Sequence, residues 1–310
     1  MMKHILSVLC LLAVSFWLQL YNAQTPDAYV EVLGVAQDGG FPHMGCNKEG
    51  CNLAWEHPEL RRNVSSLALV DPVQKKWWLF DATPDIRQQL HDFSQRHNRE
   101  YPYLPEGVFI THAHIGHYTG LMEFGKEVMN TRQVKVYVLP KLKNFLENNG
   151  PWSQLVGLKN IEIIPLTAEQ EVSIGNSLTV KAFTVPHRDE YSETAGFRML
   201  TPKKKFLFIP DIDKWSKWNK NITEEVKNVD YAFLDATFYD QNEMGNRPVS
   251  EVPHPLVTET EDLFQKESAA VKKKIYFIHF NHSNQILWDK AIQGKVRDKG
   301  FNIAEEGKQY

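Results

Sequence analysis

Thr111-His112-Ala113-His114-Ile115-Gly116-His117-Tyr118-Thr119-Gly120 directly follows the apolar run Gly107-Val108-Phe109-Ile110. The run reads as a buried strand. Alternate residues of an extended chain point the same way, so His112 and His114 share a side. A tight loop then suffices to bring His117 to them. Neutral imidazole is a common ligand for zinc and other transition metals. A lone histidine reads as a surface or core residue. Three within six positions at a strand end predict a metal site.

Short apolar runs recur on both sides of this loop. Upstream stand Tyr29-Val30-Glu31-Val32-Leu33, Ser66-Leu67-Ala68-Leu69-Val70 and Trp77-Trp78-Leu79-Phe80. A helix is predicted over 84–97, with Ile86, Leu90 and Phe93 on one face. Downstream, strands are predicted at 134–138, 161–164, 178–185, 196–200, 206–209, 231–234 and 275–278. Further helices are predicted at 142–148, 259–270 and 286–296. No low-complexity linker or solenoid-length repeat interrupts them. Two strand-rich halves, each with helices, predict two sheets packed face to face and covered by helices, as one domain over 24–310.

At 310 residues, 42% hydrophobic and 24% charged, the chain has the profile of a folded globular protein. Its formal net charge is −3 and it carries no long basic run. Non-specific grip on a nucleic acid backbone is therefore not expected; a small-molecule substrate is. Lys3 precedes an apolar run from Ile5 to about Leu20, followed by Tyr21-Asn22-Ala23-Gln24. That pattern predicts a signal peptide over 1–23, cleaved near Ala23. The alternative is a membrane anchor, for which the run is slightly short. Cleavage implies export to the periplasm or the exterior, with no stable membrane insertion afterwards. In an oxidising compartment Cys46 and Cys51 fit a disulfide. Free thiols and a small structural metal site are the alternatives.

Other polar residues also follow apolar strands. Asp81 follows Trp78-Leu79-Phe80, and His187 follows Phe183-Thr184-Val185-Pro186. Asp211 follows Phe206-Leu207-Phe208-Ile209-Pro210, and Asp235 follows Tyr231-Ala232-Phe233-Leu234. His279 follows Ile275-Tyr276-Phe277-Ile278, with His282 three residues on. Each alone reads as a turn residue. Their recurrence after almost every buried strand points to one polar sheet edge.

This series resembles the metallo-β-lactamase superfamily, whose signature is H-x-H-x-D-H followed by a distant His, an Asp and a final His. The resemblance implies an α/β protein built as a four-layer αββα sandwich with a metal site at the edge of its sheets. His112, His114 and His117 match the first motif, His187 the distant His, Asp211 the bridging Asp and His279 the final His. Asp81 matches an early structural Asp that holds a ligand histidine from behind, and Asp235 is placed beside it in that supporting role. Within the superfamily the nearest resemblance is to the pyrroloquinoline-quinone biosynthesis B branch. It rests on Gly39-Gly40-Phe41-Pro42 followed by Cys46 and Cys51, and on Phe277-Ile278-His279-Phe280-Asn281-His282-Ser283-Asn284. His254-Pro255-Leu256-Val257 also fits, and His254 resembles a histidine that contacts phosphate or protonates a leaving group in phosphodiesterase relatives.

The chain departs from the family pattern twice. Gly116 stands where the family has an Asp that ligates a second metal. His112, His114 and His187 are left for a first metal; His117, His279 and Asp211 remain for the second. One firmly held zinc and a weak or absent second are therefore expected, with His282 as a rival replacement ligand. Two His and one carboxylate is also an iron site composition, so iron is the alternative. The other departure is Lys48, which replaces the middle of three cysteines that form a zinc knuckle in relatives. The implied activity is hydrolysis of an ester, lactone or phosphodiester by a metal-activated hydroxide, with Asp211 and His254 as the catalytic residues. A non-heme iron oxidoreductase and a non-catalytic binding protein on the same fold are the alternatives. Oligomeric state has no signal here.

Overall fold

Strand Lys76–Phe80 is apolar from Trp77 onward, and its two faces meet different neighbours. Trp78 and Phe80 point into one core, while Trp77 and Leu79 point into another. The same split divides Leu67 and Leu69 from Ala68 and Val70 on the neighbouring strand. Side chains alternate along a strand with period two, so a strand buried on both faces reads as a continuous apolar run. The computed structural model describes residues 26–310 other than 176, 246, 247, 249 and 250. The signal peptide expected over 1–23 lies outside the described residues.

The first sheet holds β1 (Tyr29–Gly34), β2 (Ser66–Asp71), β3 (Lys76–Phe80), β4 (Gly107–Phe109), β5 (Val134–Val138) and β6 (Ile161–Pro165), in sequence order. The second holds β7 (Glu171–Gly175), β8 (Leu178–Val185), β9 (Thr194–Leu200), β10 (Lys205–Ile209), β11 (Tyr231–Asp235), β12 (Ile275–Ile278) and β13 (Asn302–Ile303). From β3 to β6 neighbours run parallel, and from β10 to β13 they do so again. Helix α1 spans Glu49–Glu56 and α2 spans Ile86–Arg96. Ile86, Leu90 and Phe93 of α2 cover the outer face of the first sheet, as their spacing predicts. The fold is therefore mixed α/β, with two facing sheets and helices outside.

The sheets meet through aromatic rings. Phe80, Phe109 and Tyr137 are register partners across β3, β4 and β5. Their rings stack with centroids 5.0 and 4.4 Å apart. Phe197 and Phe208, partners across β9 and β10, approach Phe80 edge-on at 5.5 and 6.5 Å. Edge-to-face contact sets the positive ring edge against the negative face. Burial of these rings holds the two sheets in one fixed relation, and with them the sheet edges.

Two predicted helices are shorter than the apolar pattern suggests. Over 259–270 the chain forms Val257–Leu263 and a separate turn, Ala269–Lys272. Ser268 accepts from the Val271 amide and starts the second piece afresh. Near the C-terminus the long helix is Lys290–Asp298, because Asp289 caps it by accepting from the amides of Ala291 and Ile292. Among the described residues no helix is long and apolar enough to cross a membrane.

Phe208→Ala should lower unfolding free energy by about 3–5 kcal/mol. Trp55, which is exposed, should tolerate alanine within about 0.5 kcal/mol. Urea unfolding of both variants checks the pair; equal losses would mean that the inter-sheet rings are not the core.

Candidate metal centre

β3, β4, β8, β10, β11 and β12 all end at one edge of the sandwich. Parallel pairing within each sheet enforces this, and β8 runs with β10 because β9 lies antiparallel to both. Asp81, the histidine loop, His187, Asp211, Asp235 and His279 therefore meet there. Asp211 is central and almost fully buried. Its Oδ1 lies 3.2 Å from His187 Nε2 and 3.2 Å from His254 Nδ1. Its Oδ2 lies 3.3 Å from His112 Nε2, 3.8 Å from His117 Nε2 and 4.0 Å from His279 Nε2.

Three groups of ligand atoms, each lying within 4.8 Å of one another, result. His112, His114, His187 and Asp211 form the first. Asp38, His117 and His279 form the second. Asp211, Asp235, His254 and His279 form the third. His282 joins none of them. The chain turns after His279, and the His282 ring stacks on His43 with centroids 4.3 Å apart. Burial, His43 and Lys48 push its pKa down to about 4.

Behind the ligands, two aspartates repeat one device. Asp81 Oδ2 bonds His117 Nδ1 at 2.8 Å and also lies 3.0 Å from the Thr111 hydroxyl. That hydroxyl lies 3.0 Å from His112 Nδ1. A carboxylate only accepts, so Thr111 donates to Asp81 and accepts from His112 Nδ1–H. Both Nε2 atoms are then free of protons when their rings are neutral. On the other sheet, Asp235 Oδ2 holds His254 Nδ1 at 2.9 Å, while its Oδ1 accepts from the Thr237 hydroxyl at 2.7 Å. Thr237 in turn lies 3.0 Å from His279 Nδ1. Such outer partners fix ring orientation and tautomer for a metal ligand. Asp81 and His279 both have positive φ, 65° and 67°, a region costly for residues other than glycine. The strain is held at the site by its surroundings.

Charge is matched by the same groups. Burial disfavours the ionised form of Asp211, but His187, His254 and His279 outweigh it and hold its pKa well below the usual carboxylate range. Burial also opposes charge on His117, yet Asp81 and Asp38 raise its pKa well above the imidazole value. For His254, Asp235 and Asp211 overcome burial and push it up to about 10. Burial, with His117 nearby, holds His112 well below its usual value. Protons on these rings offset buried carboxylates, and a divalent cation offers the same compensation.

The donor set fits a metal by a second criterion. His117 Nε2, His187 Nε2, His279 Nε2, Asp38 Oδ1 and Asp211 Oδ1 are buried without a hydrogen-bond partner. A buried polar atom left unsatisfied costs about 1–3 kcal/mol. Five such atoms, divided between two neighbouring ligand groups, call for partners that the protein itself does not supply. Ligand atoms about 2.1 Å from a tetrahedral ion lie roughly 3.4 Å apart. Contacts of 3.2–3.4 Å across this site have that spacing.

Four functional side chains lie outside the motif reading. Thr111 and Thr237 orient His112 and His279, and Glu190 Oε2 holds His114 Nε2 at 3.0 Å. Asp38 faces His117 from the Gln37-Asp38-Gly39-Gly40 turn, where a turn former is the ordinary reading. Cys46 and Cys51 are free thiols, and no metal-ligating group among the described residues includes them. Burial, with Cys46 adjacent, pushes the Cys51 thiol up to about 11.

Residues 76–280 match the family described as the β-lactamase superfamily domain, and the chain belongs to that superfamily. Within it, the chain is similar to the proteins called coenzyme PQQ synthesis protein B. It is 28% identical to the one from Gluconobacter oxydans, over 91% of this chain and 97% of the relative. It is 25% identical to that of Rhizobium meliloti, over 92% and 98%. Among solved structures, Zn(2+)-bound PqqB from Methylobacterium extorquens superposes with a TM-score of 0.74 at 22% identity, covering 91% of this chain and 99% of that one. A diphosphatase from the PhnP family does so with a TM-score of 0.66 at 20% identity, covering 92% and 97%. These structural likenesses show the shared fold.

Asp81→Asn keeps shape and tolerates the positive φ, but it presents an amide where two donors need a carboxylate. Metal affinity should fall by about 10–100-fold, measured by competition with a chelator. Unchanged affinity would leave Asp81 as a brace for the loop alone.

Proposed function

We propose that the protein is a metal-dependent hydrolase of small molecules, acting on an ester, lactone or phosphodiester bond. The observation that carries this reading is the set of five partnerless buried atoms around Asp211. His112, His114, His187 and Asp211 would hold one metal, with His117 and His279 beside it. A bound zinc supplies an acidified water and polarises the substrate oxygen. The residues do the rest. Asp211 presents one oxygen to His187 and the other to His112, with His117 and His279 at 3.8 and 4.0 Å from that second oxygen, so it can serve both sides of the site. Thr111 and Thr237 keep the ligand nitrogens free of protons. His254 is held by Asp235 next to Asp211 and is the candidate proton carrier for a leaving group.

A second reading has its own support. Asp38, His117 and His279 make a two-histidine, one-carboxylate set, the composition of non-heme iron sites. Under that reading the protein is an iron-dependent oxidoreductase.

Elemental analysis of protein purified without added metal separates the two. Zinc lost in His114→Ala, with hydrolysis of an ester, lactone or phosphodiester probe lost alongside, is the expected result. Iron together with oxygen consumption would replace the hydrolase with the oxidoreductase. No metal, even after incubation with zinc or iron, would leave a binding protein. For the hydrolase, His254→Ala should lower kcat by about 10²–10⁴-fold with metal content retained. An unchanged kcat would make His254 a packing neighbour of Asp235.

A further inference from the structure

The glycine inside the histidine motif and the aspartate in the turn after β1 are two halves of one substitution. A Cβ built on Gly116 would lie 2.2 Å from Asp38 Oδ1 and 2.6 Å from Asp38 Cα. Real Cβ atoms do not approach other atoms that closely. Asp38 therefore fills the space into which a side chain at 116 would project. An aspartate at 116 and Asp38 in its present place exclude one another.

Asp38 is brought there by backbone pairing. Beyond β1 the chain continues as Val35-Ala36-Gln37, alongside the end of β12. Phe280 donates its amide to Val35 O at 2.8 Å, and Gln37 donates to Phe280 O at 2.8 Å. Ala36 bridges both Val64 and Phe280. Asp38 thus emerges next to His279, and the turn closes behind it with Gly40 N donating to Gln37 O. Asp38 Oδ1 reaches His117 Nε2 at 3.4 Å. Asp38 Oδ1, His117 Nε2 and His279 Nε2 are all buried, and none has a hydrogen-bond partner. A carboxylate placed only to neutralise His117 would leave His279 Nε2 unexplained.

We propose that Asp38 is a ligand of a second metal, together with His117, His279 and the shared Asp211, and that the protein holds a pair of metals. This deepens the metallo-hydrolase reading and rests on it for the first metal. It replaces the expectation, drawn from Gly116 alone, that the second position lacks its own carboxylate. The carboxylate is present and comes from the turn after β1.

The test is metal stoichiometry and stepwise affinity of the full chain, by elemental analysis and zinc titration against a chelator. Cobalt(II) absorption serves as a second readout of ligand number. The wild-type protein should bind two zinc ions per chain. Asp38→Ala should bind the first normally and weaken the second by more than about 100-fold, beyond the loss a supporting residue causes. Asp38→Asn, which keeps the side-chain shape and removes its charge, should weaken the second as well; an aspartate introduced at 116 offers no rescue, since its Cβ would still lie 2.6 Å from the Cα of residue 38. Circular dichroism and thermal unfolding of each variant identify any that fail to fold, and the isosteric Asp38→Asn then decides. Two zinc ions bound with unchanged affinity in Asp38→Ala would overturn the proposal. So would a wild-type protein saturated by one zinc that is lost in His114→Ala, an outcome that leaves the hydrolase reading standing. A wild-type protein that binds no metal overturns both. Two metals without hydrolysis would support Asp38 and remove the hydrolase.

Discussion

A carboxylate buried at the junction of two sheets is the constraint around which this molecule is arranged. Asp211 is almost wholly removed from water, and an isolated charge there would be prohibitively unstable. It persists because six imidazoles lie within 4.0 Å of its two oxygens. Those imidazoles come from both sheets. The inter-sheet aromatic core therefore has a chemical consequence: it fixes the separation of the strand ends and so the spacing of the donors. A slip of one sheet against the other would break the charge balance at Asp211 before it exposed much apolar surface.

Each sheet solves the orientation of its own histidines in the same way. An aspartate at the end of a strand takes one imidazole directly and a second through a threonine hydroxyl: Asp81 with His117 and His112, Asp235 with His254 and His279. The threonine acts as a polarity converter. It gives its only proton to the carboxylate and can then only accept from the ring. Valine, of the same shape, would pack equally well and lose this effect. Two similar supporting layers thus flank one asymmetric centre, in which the first sheet contributes His112, His114 and His117 and the second contributes His187, His279 and Asp211.

Much of this was legible in the sequence because it is local. The His112, His114 and His117 spacing, and acidic or histidine residues that directly follow apolar strands, need only the alternation of a strand and the abruptness of its end. The two-sheet architecture follows from apolar runs long enough to be buried on both faces. Asp38 was not legible, because its role depends on a contact between the first strand and the twelfth. Nothing within ten residues of it separates a ligand from an ordinary turn former. Gly116 shows the converse. Read alone it is a lost side chain, and read beside Asp38 it is a close approach that only glycine permits. His282 follows the local pattern, yet the turn after His279 directs it to His43 instead. Helix ends went astray where a capping side chain, Ser268 or Asp289, restarted the helix within a continuous apolar pattern.

The backbone pairing of Val35 and Gln37 with Phe280 also bears on how the protein folds. The His112, His114, His187 and Asp211 set draws on the middle of the chain, while the Asp38, His117 and His279 set unites segments from opposite ends of it. Contacts so distant in sequence form late, since the loop they close is costly in entropy until much else is in place. The first set needs only the segments from residue 112 to residue 211 in place. The other set can exist only once the N-terminal strand has docked against the last sheet. Its completion therefore marks the end of folding, and any ion seated there would hold the two ends of the domain together.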